Sequence, residues 1–254
     1  MPLDTSTYSL ALLRLDGRRW NELRRLTAQI STQASADGSS FLSMGNTKVI
    51  CTVTGPSEVK AAPGASGRGD EAVVSVEISV AGFSGVERKR RGKGDKRIYE
   101  MQTTIATAFQ ATLFTHLYPR STITISLHIL SLDGSLLATC LNASTLALID
   151  AGVPMRDYIC ATTAGSTSSY SSNDEKADPL LDLNGSEELE LPFLTVATCG
   201  TEDEVSVLVM ETRVQVGRLE GMLAVGVDGC KQVRDILDVV VRARGKRILE
   251  GSQL

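Results

Sequence analysis

The 254 residues are 42% hydrophobic, 22% charged and only 4% aromatic, with a net charge of −4. A chain of this size and apolar content can bury a core without disulfides or a structural metal, and its composition excludes a disordered protein. No apolar run approaches the roughly 20 residues of a membrane-spanning helix, and the first eight residues lack a basic and an apolar signal region. A soluble intracellular protein with no membrane partner is therefore expected.

From the N-terminus, Asp16–Arg19 reads as a turn. Trp20 to Ile30 reads either as a short helix or as a lead-in to a strand, and Gln29–Ala36 as a strand. Asp37–Ser40 is a turn signal. Phe41–Met44 and Lys48–Thr54 are predicted strands joined through Gly45-Asn46-Thr47, the second ending at Gly55-Pro56. A Gly-rich polar loop follows, Ser57 to Asp70, without the order or the helix start of a nucleotide loop. Ala72–Val80 alternates as a strand.

Residues 88–97 read RKRRGKGDKR, a window of +6 in which seven basic residues face Asp95 alone. With Gly92 and Gly94 breaking any helix, it is a flexible basic loop and a candidate footprint for a polyanion, or else a solvated basic tract. Ile98–Leu117 carries apolar residues at helical spacing and stops at Pro119. Ser121–Leu132 alternates strongly, with Ile123, Ile125, Leu127 and Ile129 on one face and His128 on the other.

Leu136–Ala151 is apolar nearly all round, the pattern of a core helix. Met155–Ala164 reads as a strand, and the segment 166–179 as a polar loop expected to be mobile. Leu180–Leu183, Leu191–Ala197 and Val205–Glu211 read as strands. Arg218–Glu250 reads as a long amphipathic helix, with a break expected around Gly226 and Gly229. Strands and helices segregated in this order make an α+β protein of one domain, 1–254, in which each half runs strands and then helix.

The chemistry-bearing residues are sparse. Cys51, Cys140, Cys160, Cys199 and Cys230 lie far apart in apolar company and read as reduced core thiols, not a zinc site or a disulfide framework. His116 and His128 have no nucleophile motif beside them. Asp182 and Glu188 sit six apart across a Gly-Ser turn, so both could point into one cleft and offer hard oxygens to Mg²⁺, or form a solvated acidic turn.

Ordered along the chain are five motifs: Leu15-Asp16-Gly17-Arg18; Gly38-Ser39 with Gly45-Asn46-Thr47-Lys48-Val49; Gly55-Pro56; Ala147–Met155; and Leu181-Asp182-Leu183. They resemble, at matching spacing, the signatures of the RNase PH family of phosphorolytic exoribonucleases, from about Leu13 to the C-terminal helix. Within it the chain is most similar to the exosome ring subunits whose archaeal counterparts are catalytic. The resemblance implies the RNase PH fold (ribosomal protein S5 domain 2-like): two related β-α units with antiparallel and mixed sheets and packed helices.

It further implies a hetero-hexameric ring with paralogous RNase PH-like subunits, cap subunits with S1/KH domains and an associated hydrolytic nuclease. Single-stranded RNA would run in the central channel, in nucleus, nucleolus and cytoplasm. The family's basic pair falls on Lys96 and Arg97, within the loop that also carries Arg88, Arg90 and Arg91. Lys60 and Arg68 would face the channel entrance. The metal-site acids fall on Asp182 and Glu188, the second longer by a methylene than the usual Asp.

The family's phosphate arginine should close the turn that opens the second-half helix. Here that turn reads Gly134-Ser135-Leu136-Leu137. Leucine offers neither charge nor hydrogen bond. A lost charge-assisted bond is worth about 1.5–3 kcal/mol, and a lost transition-state donor about 10²–10³ in rate. The resemblance therefore implies a subunit that keeps its RNA surface and has no catalytic residues, no bound metal and no cofactor. The amides at the start of the helix leave weak anion binding open.

Overall fold

The computed structural model describes residues 13–58, 71–85, 88, 95–167, 178–200 and 204–251. Two sheets sandwich one helix. The first sheet has the order β1-β2-β3-β5-β4, formed by β1 (Leu26–Ile30), β2 (Gly38–Met44), β3 (Thr47–Glu58), β5 (Ser121–Ser131) and β4 (Val73–Val80). All its pairings are antiparallel except β4 with β5, which are parallel and connected through α1 (Lys96–Thr112). The second sheet is antiparallel, order β7-β6-β8-β9: β7 (Pro179–Leu181), β6 (Ile159–Ser166), β8 (Phe193–Cys199) and β9 (Val205–Met210).

The period-2 pattern of β5 sets the inner face of the first sheet. Ile123, Ile125, Leu127 and Ile129 are fully buried, while His128 on the opposite face is exposed. The register pairs this strand with Val49, Cys51 and Val53 of β3, also fully buried. Against that face lies α2 (Leu136–Asp150), and β6 covers its other side. Every residue from Ala138 to Leu148 is buried, which is why the sequence of α2 lacks a polar face.

The polar residues of α2 are satisfied internally. The Asn142 side chain donates to the Ala161 carbonyl and accepts from the Ala161 amide, both at 2.8 Å, locking α2 to β6. On its other side α2 approaches β2 so closely that a Cβ on Gly38 would lie 2.2 Å from the Ala147 carbonyl oxygen. This contact accounts for the glycine of the Gly38-Ser39 motif. The next amide, Ser39 N, donates to the Asp150 carboxylate at the far end of α2 (3.1 Å).

Several boundaries differ from the sequence reading. Trp20–Ile30 forms no helix. The strand is 26–30, and residues 31–36 turn away because Ser31 adopts a left-handed conformation (φ 60°). Helix α1 ends at Thr112, not Leu117; Leu113 leaves it to bridge Met155, and Thr115–Leu117 is a separate 3₁₀ turn.

Strand β7 stops at Leu181 because Asp182 is left-handed (φ 51°), and α3 (Gly185–Glu190) stands where a turn was expected. The C-terminal helix α4 (Val216–Gly251) is continuous through both glycines. A Cβ on Gly229 would lie 2.3 Å from a methyl of Leu181, and one on Gly226 3.1 Å from a methyl of Val196. These glycines let the helix lie against the second sheet instead of breaking it.

Four of the five cysteines are buried, Cys199 is half-buried, and all are free thiols. Burial pushes the Cys51 thiol up to about 12, as suits a core residue. Most of the 166–179 loop, residues 168–177, lies outside the described residues.

Candidate functional site

The turn Asp133–Ser135 brings together three stretches distant in sequence. Thr47 accepts from the Asp133 amide (3.0 Å) and donates to the Gly134 carbonyl (2.7 Å), and Asn46 donates to the Asp133 carboxylate (2.9 Å). From the other side the Gly185 amide donates to Asp133 (3.0 Å). The turn delivers Ser135, left-handed at φ 52°, as the N-cap of α2.

Ser135 is fully buried, and it joins both acids of the 182–188 segment. Its hydroxyl donates to the Asp182 carboxylate (2.9 Å) and lies 2.5 Å from the Thr163 hydroxyl. Its backbone amide donates to the Glu188 carboxylate at 2.5 Å.

The two acids nevertheless face different surroundings. Asp182 is fully buried and gripped by Arg24, whose Nε and Nη2 reach its two oxygens at 3.1 and 2.8 Å while the Arg24 amide donates at 2.8 Å. Burial alone would raise the Asp182 pKa, but the charge and hydrogen bonds of Arg24 outweigh it and hold the carboxyl below its usual value. Arg14 and Arg18 both donate to the Asp182 carbonyl, and Arg14 also pairs with the buried Glu187. This acidic turn is thus neither a solvated surface nor two ligands facing one cleft.

Glu188 alone of the pair lines a cavity of about 260 Å³ between α1, the start of α2 and the second sheet. Leu136, Leu137, Met101 and Val209 supply apolar walls, with Arg97, Glu100 and Glu211 among the polar lining. Burial pushes the Glu188 carboxyl up to about 7, against the partial relief of the Ser135 amide, Arg24 and Arg97. Arg97 spans to Glu211 at 3.0 Å in a largely exposed ion pair. Among the described residues no cluster of three or more His, Cys, Asp or Glu is placed to hold a metal ion.

Residues 22–154, just over half of the chain, match the family model for the 3′ exoribonuclease family, domain 1, RNase PH. The chain belongs to the RNase PH family. It is 41% identical to the exosome complex component ski6 of Schizosaccharomyces pombe over 243 residues, covering 95% of this chain and 96% of that protein. It is 39% identical to the human exosome complex component RRP41, covering 90% of each chain. Among solved structures, rice (Oryza sativa) Rrp46 superposes with a TM-score of 0.75 at 22% identity, covering 90% of this chain and all of that one. A chain of the Archaeoglobus fulgidus exosome with RNA bound to the active site superposes at 0.73 and 18% identity, covering 92% and 96%. Both likenesses bear on the fold alone.

The RNase PH signatures acquire physical roles in this geometry. Gly45-Asn46-Thr47 and Leu181-Asp182-Leu183 bracket the turn that starts α2, and Arg18 of the first motif, with Arg14 just ahead of it, ties down the carbonyls of Asp182 and Leu181. Leu136 and Leu137 line the cavity, as their place after Gly134-Ser135 requires. Of the predicted RNA-binding residues, Lys96 and Arg97 are exposed on the first turn of α1, which Asp95 caps, and Arg88 is exposed. Lys60, Arg68, Arg90 and Arg91 lie outside the described residues. Sequence reasoning missed Arg24, Glu100 and Glu211. Arg24 was visible only as one of several arginines near Trp20, and nothing local marked Glu211 as the partner of Arg97.

Proposed function

We propose that the chain is a non-catalytic, single-domain ring subunit of an RNA exosome core. It scaffolds a hexameric ring with RNase PH-like paralogues beneath S1/KH cap subunits. It guides single-stranded RNA through the channel to a hydrolytic nuclease, in nucleus, nucleolus and cytoplasm. Its similarity to exosome components over nine-tenths or more of their length supports the assembly.

One observation carries the loss of chemistry: where an attacking phosphate would need a cation, Leu136 and Leu137 line the cavity. Of the amides at the start of α2, that of Ser135 is already given to Glu188. An incoming dianion would meet apolar walls and carboxyls, and the guanidinium in the lining, Arg97, is already paired with Glu211, so the costly desolvation would be poorly compensated. The acids expected to flank a metal support the same reading, since Asp182 is bound to Arg24.

RNA contact rests on Lys96, Arg97 and Arg88, together with Lys60, Arg68, Arg90 and Arg91. Lysine and arginine grip phosphates without sequence preference, so binding falls steeply with salt. The test is the chain assembled with its paralogue and given 3′-hydroxyl RNA, Mg²⁺ and phosphate. No nucleoside diphosphate is expected; its appearance would show a working phosphorolytic exoribonuclease instead. Charge reversal at Lys60 and Arg68, or at Lys96 and Arg97, is expected to weaken RNA protection in the ring, and unchanged protection would refute the assigned contacts.

A further inference from the structure

Closing a cavity to phosphate does not leave it without chemistry. Its walls are aliphatic at Leu136, Leu137, Met101 and Val209, and its volume, about 260 Å³, falls below the range typical of drug-sized ligand sites, roughly 300–1,000 Å³. It suits one long side chain better than a nucleotide. Arg97 and Glu211 neutralise each other at 3.0 Å. Two further carboxyls line it: Glu100, whose side chain has no partner among the described residues, and Glu188, which accepts from the Ser135 amide and ionises above about 7. An aliphatic wall beside these acids complements a cation on an aliphatic stem.

We propose that this cavity receives a lysine or arginine side chain of a partner polypeptide, its stem against Leu136 and Leu137 and its cationic head between Glu100 and Glu188. The proposal rests on the reading that the cavity has lost its phosphate chemistry. A basic head there forms charge-assisted hydrogen bonds in a partly dry site, where such bonds are stronger than in water.

The test uses the full chain with labelled leucine and methionine methyls, titrated with the blocked tripeptides Gly-Arg-Gly, Gly-Lys-Gly, Gly-Met-Gly and Gly-Glu-Gly, and with inorganic phosphate. The arginine and lysine peptides are expected to shift the Leu136, Leu137 and Met101 methyls, binding about tenfold more tightly than the methionine peptide. The glutamate peptide and phosphate should leave those methyls in place. Glu100→Gln, an exposed change that spares the fold, and Glu188→Gln should each weaken the arginine peptide several-fold.

Equal binding of the arginine and methionine peptides, or no binding of either basic peptide, overturns the proposal while leaving the non-catalytic reading intact. Methyl shifts with inorganic phosphate overturn both. The phosphorolysis assay separates the two failures.

Discussion

The backbone amide of Ser135 points at the side chain of Glu188, 2.5 Å away. In this fold that amide opens α2, and a helix start is where an anion is best received. Here the chain's own carboxyl takes the position, so the neighbouring leucines and Glu188 act together.

Leu137→Arg restores a guanidinium to the cavity beside Glu188. It is expected to confer phosphate-dependent stabilisation that the parent lacks, read as a rise in Tm of a few degrees in phosphate against chloride at matched ionic strength. Equal Tm in both salts would show that Glu188 still blocks the anion.

The pH dependence of Glu188 has a definite sign. Folded, its carboxyl holds a proton up to about 7, against an ordinary value of 4.5. Between those values the folded chain binds more protons than the unfolded, so stability falls as pH rises through that window. Discounted for partial exposure, the loss is about 1–2 kcal/mol. Glu188→Gln should flatten this slope in urea unfolding between pH 5 and pH 8, roughly, and stabilise the alkaline end; an unchanged slope would assign it to other groups.

Arg24→Ala leaves the Asp182 carboxylate buried without its main cation. Breaking such a pair costs about 3–5 kcal/mol, which denaturant midpoints would report. The stability from Asp182 is present above its ordinary pKa of 3.8 and lost as pH falls through its lowered folded value. The acid limb of the stability curve should therefore flatten in the variant.

Gly38→Ala sets a methyl against backbone, 2.2 Å from the Ala147 oxygen, with no flexible side chain to yield. Overpacking of this kind costs about 1–3 kcal/mol or more. A lowered Tm is expected, whereas Gly217→Ala, with nothing within 4 Å, should be tolerated.

The periodic elements were legible because one period accounts for each: the isoleucine face of β5, the all-round apolarity of α2, the amphipathic length of α4. Expectation failed where tertiary packing reassigns a residue. Gly226 and Gly229 read as breaks on propensity, yet the sheet demands their missing side chains. Helix α3 carried its own signal, since Asn184 and Glu187 form a capping box with both hydrogen bonds present, but the glycine between them read as a turn. The spacing of Asp182 and Glu188, six apart across a Gly-Ser turn, suggested a shared cleft. Only the left-handed backbone at Asp182, invisible in composition, turns that carboxylate inward to Arg24 while Glu188 stays at the cavity.

On the proposed reading, the bond from Ser135 to Glu188 sets a carboxyl of the chain itself against any anion that approaches that amide. A tethered group that is always present at its receptor has an effective concentration no diffusing ion need match. A phosphate at the Ser135 amide would compete with a resident group, and a variant that put arginine in place of a leucine would still have to displace it there.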